Sequence, residues 1–211
     1  TGPDESGPVA RALTLVSDRR RLGGRSLAGL AAAAAAAGVD FFQLREKDLS
    51  AAALLAVACE LVAAVRGTST RILINARPDI ARIAGAHGVQ LPEEGLPPAE
   101  VKAAFPSLLL GVSCHSLSAA RRAAEDGADF VLFGPVFETP GKEGRASGVR
   151  ALAEVVEAVP VPVHAIGGIE VANAAEVWRT GCAGGAAIRA FIEEPLDPVV
   201  RRLRLGFAAE R

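Results

Sequence analysis

Short runs rich in β-branched, leucine and phenylalanine residues alternate with longer Ala- and Leu-rich stretches of helical period along the whole chain. Read by periodicity and turn chemistry, strands are expected over 13–16, 41–44, 71–75, 88–91, 108–113, 129–136, 162–166 and 184–188. Helices are expected over 26–37, 50–65, from Pro78 onward, 98–104, from a Ser116 or Ser118 cap to Gly127, up to Val159, 172–180 and 197–210. Eight strands in 211 residues leave about 26 residues per unit, the rhythm of parallel β-α-β connections. The expected fold is therefore α/β, a single-domain (β/α)8 TIM barrel over 11–211, preceded by a flexible tail over 1–10. An open doubly wound sheet fits the same alternation, but Gly23-Gly24 after the first strand lacks the third glycine and acidic partner of a dinucleotide fingerprint.

Composition narrows the partners. Lys+Arg 23 against Asp+Glu 24 leaves a net charge of −1, so no general field draws the chain to nucleic acid or to an anionic membrane. With aromatics at 4% and no Tyr, base stacking is hardly available, and the core is built from Ala, Val, Leu and Ile. The longest apolar stretch, 27–39, falls short of the roughly 20 residues that span a bilayer. No leader segment is recognisable, which makes a cytoplasmic protein the expectation. Cys59, Cys114 and Cys182 are widely spaced and outside any CxxC, so they read as small buried hydrophobes rather than a disulfide or zinc framework.

In a barrel the chemistry belongs to the carboxyl ends of the strands. Alternation along Phe41-Phe42-Gln43-Leu44-Arg45-Glu46-Lys47 puts Gln43, Arg45 and Lys47 on one side, facing the barrel axis, and Phe42 and Leu44 on the helix side. Two cations there suit phosphate or pyrophosphate, Arg as a planar fork and Lys as a point charge. The alternative is a solvated strand end with Glu46 as the ion-pair partner. Gly167-Gly168 and Gly184-Gly185, at the last two strands, let backbone approach a ligand, and Arg189 adds charge. The loop from Glu138 to Gly148 has the composition of a lid carrying Thr139 and Lys142, or else of a plain connector. His115, after Ser113, can exchange protons near neutral pH, whereas His87 and His164 read as positional or core histidines.

Gln43 to Lys47, Asn75, Gly134-Pro135-Val136-Phe137 with Thr139 and Lys142, and Ala165 to Ile169 stand in one order and spacing. Together they resemble the thiamine phosphate synthase family and its relatives, the TenI-like thiazole tautomerases, from Leu13 to about Phe191. The resemblance implies a (β/α)8 barrel holding a thiazole phosphate on the loops of strands seven and eight. It also implies a pyrimidine pyrophosphate held by the Gln, Arg, Lys and Asn equivalents with the lid Lys. The candidate binding set is Gln43, Arg45, Lys47, Asn75, Ser113, Thr139, Lys142, Gly167, Gly168, Ile188 and Arg189.

Two departures bear on the reaction. Where the synthases have the acids that hold Mg²⁺, this chain has Ala76 and Gly95, with Glu93 and Glu94 nearby. The segments Val89-Gln90-Leu91-Pro92 and Val131 to Gly134 resemble the tautomerase branch, although Pro135 stands where its compared member has a proton-carrying His. The leading expectation is therefore a thiazole tautomerase, an isomerase with His115 and Lys142 as candidate catalytic groups and no cofactor or metal ligand. The alternatives are a Mg²⁺-assisted thiamine-phosphate synthase and a non-catalytic phosphate-ligand-binding regulator. A small-molecule thiazole phosphate is the expected partner, with no nucleic acid or membrane, in a homo-oligomer.

Overall fold

The computed structural model describes residues 11–139, 143–193 and 195–208. Eight parallel strands close on themselves in sequence order: β1 (Ala12–Val16), β2 (Phe41–Leu44), β3 (Arg71–Asn75), β4 (Gly88–Leu91), β5 (Leu109–Cys114), β6 (Phe130–Phe133), β7 (Val163–Ile166) and β8 (Gly184–Ala187). β8 returns to β1 with Ala12 beside Gly184 and Leu15 beside Ala187, so no edge is left open. Outside lie α1 (Leu27–Ala36), α2 (Ala51–Ala64), α3 (Pro78–Ala84), α4 (Pro98–Ala104), α5 (Leu117–Glu125), α6 (Gly148–Ala158), α7 (Ala174–Trp178), α8 (Arg189–Ile192) and α9 (Leu196–Ala208). The open-sheet alternative is excluded by this closure.

Local chemistry starts the helices where the sequence places them. The hydroxyls of Ser26, Ser50 and Ser116 accept from the backbone N–H of Gly29, Ala53 and Ala119, and Pro78 opens α3 with its pre-set φ. Phe42 and Leu44 pack outward with Leu30, Leu54 and Leu61, the burial that fastens helices to barrel. Inside, Ala12, Phe41, Leu73, Leu109 and Phe130 form the amino-terminal layer, with Phe41 and Phe130 stacked at 5.9 Å. Large rings on β2 and β6 leave room only for glycine on some neighbouring strands. A Cβ at Gly111 would lie 2.3 Å from Phe130 Cζ; at Gly184 it is the β1 backbone that is close, with the Ala12 carbonyl oxygen 2.4 Å from where a Cβ would stand.

Several boundaries differ from expectation for identifiable reasons. β6 ends at Phe133 rather than 136, because Pro135 has no N–H for the ladder; Val136 and Phe137 instead donate to the carbonyls of Ile166 and Gly167 at 2.8 and 3.0 Å. The helix expected over 172–180 shortens to α7, because Asn173 is drawn into the loop, donating to the Gly168 carbonyl and accepting from Glu170 N. β8 stops at Ala187, where Ile188 caps the four-residue α8, an element absent from the sequence reading. A 3-10 turn at Arg19–Arg21 was likewise not foreseen. Cys114 and Cys182 are buried as expected, but Cys59 on α2 is exposed. The expected tail over 1–10 lies outside the described residues.

Candidate active site

The carboxyl-terminal mouth is divided into two halves by which side chains the strands point inward. On β2 to β5 the inward residues are polar. Gln43 Nε2 donates to Asn75 Oδ1 at 3.1 Å, Asn75 stands in register with Gln90, and Gln90 Nε2 donates to Ser113 Oγ at 3.1 Å. Gln43 and Gln90 are 3% and 1% exposed, so these bonds satisfy amides that water hardly reaches. From β6 round to β1 the inward residues are apolar: Leu132, Ile166, Ala186, Ile188 and Val16. Gln90 was not among the candidate residues, yet the alternation Gly88-Val89-Gln90-Leu91 carried the signal, since it gives Gln90 the inward parity of Gln43.

Above this polar band the β2 loop is fixed by a buried carboxylate. Glu46, 5% exposed, accepts from Ser17 Oγ at 2.6 Å, from Arg19 N at 3.0 Å and from Arg19 Nη1 at 3.1 Å. Ser17 Oγ in turn accepts from Arg45 N at 2.9 Å, so the backbone carrying Arg45 is tied to β1. Glu46 is thus an anchor between two loops and does not neutralise the neighbouring cations. Arg19 is also held by Asp48, and this pairing pulls the Asp48 carboxyl down to about 2. No carboxylate among the described residues pairs with Arg45, half-buried, or Lys47, exposed.

At the β5 and β6 ends, the His115 N–H donates to Glu93 at 2.6 Å and its ring Nδ1 donates to the Gly134 carbonyl. A carbonyl only accepts, so the neutral ring keeps its proton on Nδ1 and presents Nε2 as an acceptor. Gly167 and Gly168 adopt φ of +101° and +64°, and a Cβ on Gly167 would lie 2.5 Å from Pro135 Cα. These glycines therefore permit both a left-handed turn and close contact between the β6 and β7 loops. Arg189 sits on the first turn of α8, 3.5 Å from Glu170. Thr139 ends the described part of the β6 loop, and Lys142 lies outside the described residues. Burial raises the Cys114 and Cys182 thiols to about 12 and 11, which removes both as nucleophiles near neutral pH.

Magnesium, implied by the synthase resemblance, can be tested against these groups. Ala76 and Gly95 have no side-chain oxygen, and a Cβ on Gly95 would lie 2.9 Å from the Pro92 carbonyl oxygen. Glu93 is committed to His115 N, Glu94 is exposed, and no group of three or more His, Cys, Asp or Glu among the described residues is placed to hold a metal. The protein side chains at this mouth do not fit a resident Mg²⁺.

A closed (β/α)8 barrel with a polar, cation-bearing carboxyl-terminal mouth belongs to the class of TIM-barrel proteins, in which the strand-end loops carry function. Within it, this chain belongs to the thiamine monophosphate synthase (TMP-TENI) family, whose model matches residues 13–191. It is 45% identical over 189 residues to a putative thiamine-phosphate synthase of Geobacter sulfurreducens, covering 88% of each chain. It is 38% identical over 200 residues to the thiamine-phosphate synthase of Roseiflexus castenholzii, covering 93% of this chain and 88% of that one. Among solved structures, thiamine phosphate pyrophosphorylase from Pyrococcus furiosus superposes with a TM-score of 0.85 at 32% identity, over 94% of this chain and 96% of that one.

These relatives overturn the expectation of a thiazole tautomerase. The family is as expected, but relatives at this identity are named as synthases, and the similarity to the tautomerase branch rested on a few strand-end residues. Pro135, bonded through its carbonyl to Ser147 N, also leaves that position without a proton carrier. No helix among the described residues is long and apolar enough to cross a membrane.

Proposed function

We propose that this barrel is a transferase that joins a pyrimidine pyrophosphate to a thiazole phosphate, releasing pyrophosphate. The observation that carries the reading is Arg45, a guanidinium that no carboxylate among the described residues pairs with, on a loop anchored by Ser17 and Glu46 at the rim of the polar half-mouth. The relatives named thiamine-phosphate synthase support the same reaction. In this reading Arg45 and Lys47 bind the pyrophosphate oxygens, and Gln43 with Asn75 orients the pyrimidine through amide hydrogen bonds. The apolar arc of Val16, Leu132, Ile166, Ala186 and Ile188 receives the thiazole ring, while the backbone at Gly167 and Gly168, with Ser113, Thr139 and Arg189, faces its phosphate.

The reaction breaks the bond from the pyrimidine methylene carbon to the pyrophosphate oxygen and forms one from that carbon to the thiazole nitrogen. Negative charge grows on the departing oxygen, so fixed cations beside it stabilise the transition state more than the ground state. His115 stands at the mouth with Nε2 as an acceptor, suited to a donor on a bound ring. Incubation with both substrates and chromatographic detection of thiamine phosphate tests the proposal. Product that disappears when either substrate is omitted supports it; absence of product with both substrates saturating rejects it.

A further inference from the structure

Ser17, the first residue after β1, is 1% exposed and makes three hydrogen bonds to the end of β2. Its backbone N–H donates to the Gln43 carbonyl at 2.9 Å, its Oγ accepts from Arg45 N at 2.9 Å, and its hydroxyl donates to Glu46 Oε1 at 2.6 Å. An amide N–H only donates and a carboxylate only accepts, so the one hydroxyl proton goes to Glu46 and the oxygen lone pairs face Arg45 N. Glu46 Oε1 also accepts from Arg19 N at 3.0 Å, so the acceptor that orients the Ser17 hydroxyl is itself held by the chain leaving β1. Gln43 and Arg45, the two residues proposed to meet opposite ends of the pyrimidine pyrophosphate, thus share one backbone brace.

We infer that Ser17 is a positioning residue for the pyrophosphate group: its hydroxyl, oriented by Glu46, fixes the backbone from which Arg45 reaches the anion. The inference rests on the binding of pyrophosphate by Arg45 proposed above. A cation on a loose strand end has to be ordered by its ligand, which weakens binding, whereas a strand end already held in place meets the ligand without that loss. Ser17→Ala keeps every charge at the mouth but leaves Arg45 N–H without its acceptor where water hardly reaches. The strand end then shifts to find another partner, and the guanidinium moves with it.

Calorimetric titration of wild type, Ser17→Ala and Ser26→Ala with inorganic pyrophosphate tests it. Ser26→Ala is the stability control, since it removes a hydroxyl that also accepts from a backbone N–H, but within α1. Ser17→Ala should weaken pyrophosphate binding about tenfold and raise the KM for the pyrimidine pyrophosphate by a similar factor, with the KM for the thiazole phosphate within about twofold. Ser26→Ala should bind pyrophosphate as wild type does. Hydrogen exchange of the wild-type protein gives a reading that needs no variant: the Arg45 amide should be protected before any ligand is added. Absence of turnover in wild type would reject the transferase reading, and the pyrophosphate titrations would then decide the inference by themselves. No saturable pyrophosphate binding in wild type, or equal affinity in wild type and folded Ser17→Ala, would overturn it. So would an equal loss in Ser26→Ala, or an Arg45 amide that becomes protected only when pyrophosphate is present.

Discussion

Gln43 on β2, nearly out of reach of solvent, donates its side-chain amide to half-buried Asn75 on the neighbouring β3 at the barrel mouth, at 3.1 Å. The pair continues through Asn75 and Gln90, in register, to Ser113, so four adjacent strands share one polar band. Its location beneath Arg45 links a buried structural contact to the anion-binding rim.

Removing one partner tests that link. Asn75→Ala leaves the Gln43 Nε2 without its acceptor, and loss of a partner at a buried amide costs about 1–3 kcal/mol. Denaturant unfolding should show that loss. Steady-state kinetics should show a raised KM for the pyrimidine pyrophosphate, with the KM for the thiazole phosphate little changed.

Ala76 sits at φ +59°, a left-handed conformation that costs an alanine strain and a glycine almost none. Ala76→Gly should therefore stabilise the fold by about 0.5–1 kcal/mol. Ala76→Asp should be tolerated, since aspartate adopts this region more readily than alanine. Chemical denaturation of the two variants beside wild type checks both. Calorimetric titration of the wild-type protein with Mg²⁺ alone should give no saturable heat, because among the described residues Glu94 is exposed, Glu93 is already bonded and no group of acids is placed to hold a metal.

His164 is fully buried, and neither ring nitrogen has a hydrogen-bond partner; it stacks on Phe130 at 4.9 Å. Burial lowers its pKa to about 4. The unfolded chain takes up a proton near pH 6.5, which the folded chain refuses until about pH 4. Stability from this group is therefore whole above about pH 6.5 and declines as pH falls toward 4, by about 3 kcal/mol in all. His164→Leu removes the titration. The stability difference, variant minus wild type, should rise by about that amount between pH 7 and pH 4 in paired denaturant titrations. An unchanged difference would assign the acid sensitivity to other groups.

The barrel itself was legible because alternation of strand and helix is written in residue types that water sorts. Phe42 and Leu44 face the helices and Gln43 faces the axis, as a period of two requires. What the pattern could not carry were contacts between distant segments. Glu46 reads as a solvated acid beside two cations, yet Ser17 and Arg19, brought in by β1, bury it as an anchor. Asn173 shortens α7 by reaching back to Gly168, a choice no helix propensity records. The exact reaction was misread for a related reason: few residues distinguish the branches of one family, and Pro135 and Ala76 pointed in different directions.

The most direct measurement is pyrophosphate release by wild-type protein and Arg45→Ala, with pyrimidine pyrophosphate and thiazole phosphate supplied together and separately. The account predicts release in proportion to thiamine phosphate only when both substrates are present, and a loss of about 10²-fold or more in kcat/KM for Arg45→Ala with its fold intact. No release above buffer from the wild type at saturating substrates, or equal rates in the two proteins, would contradict it.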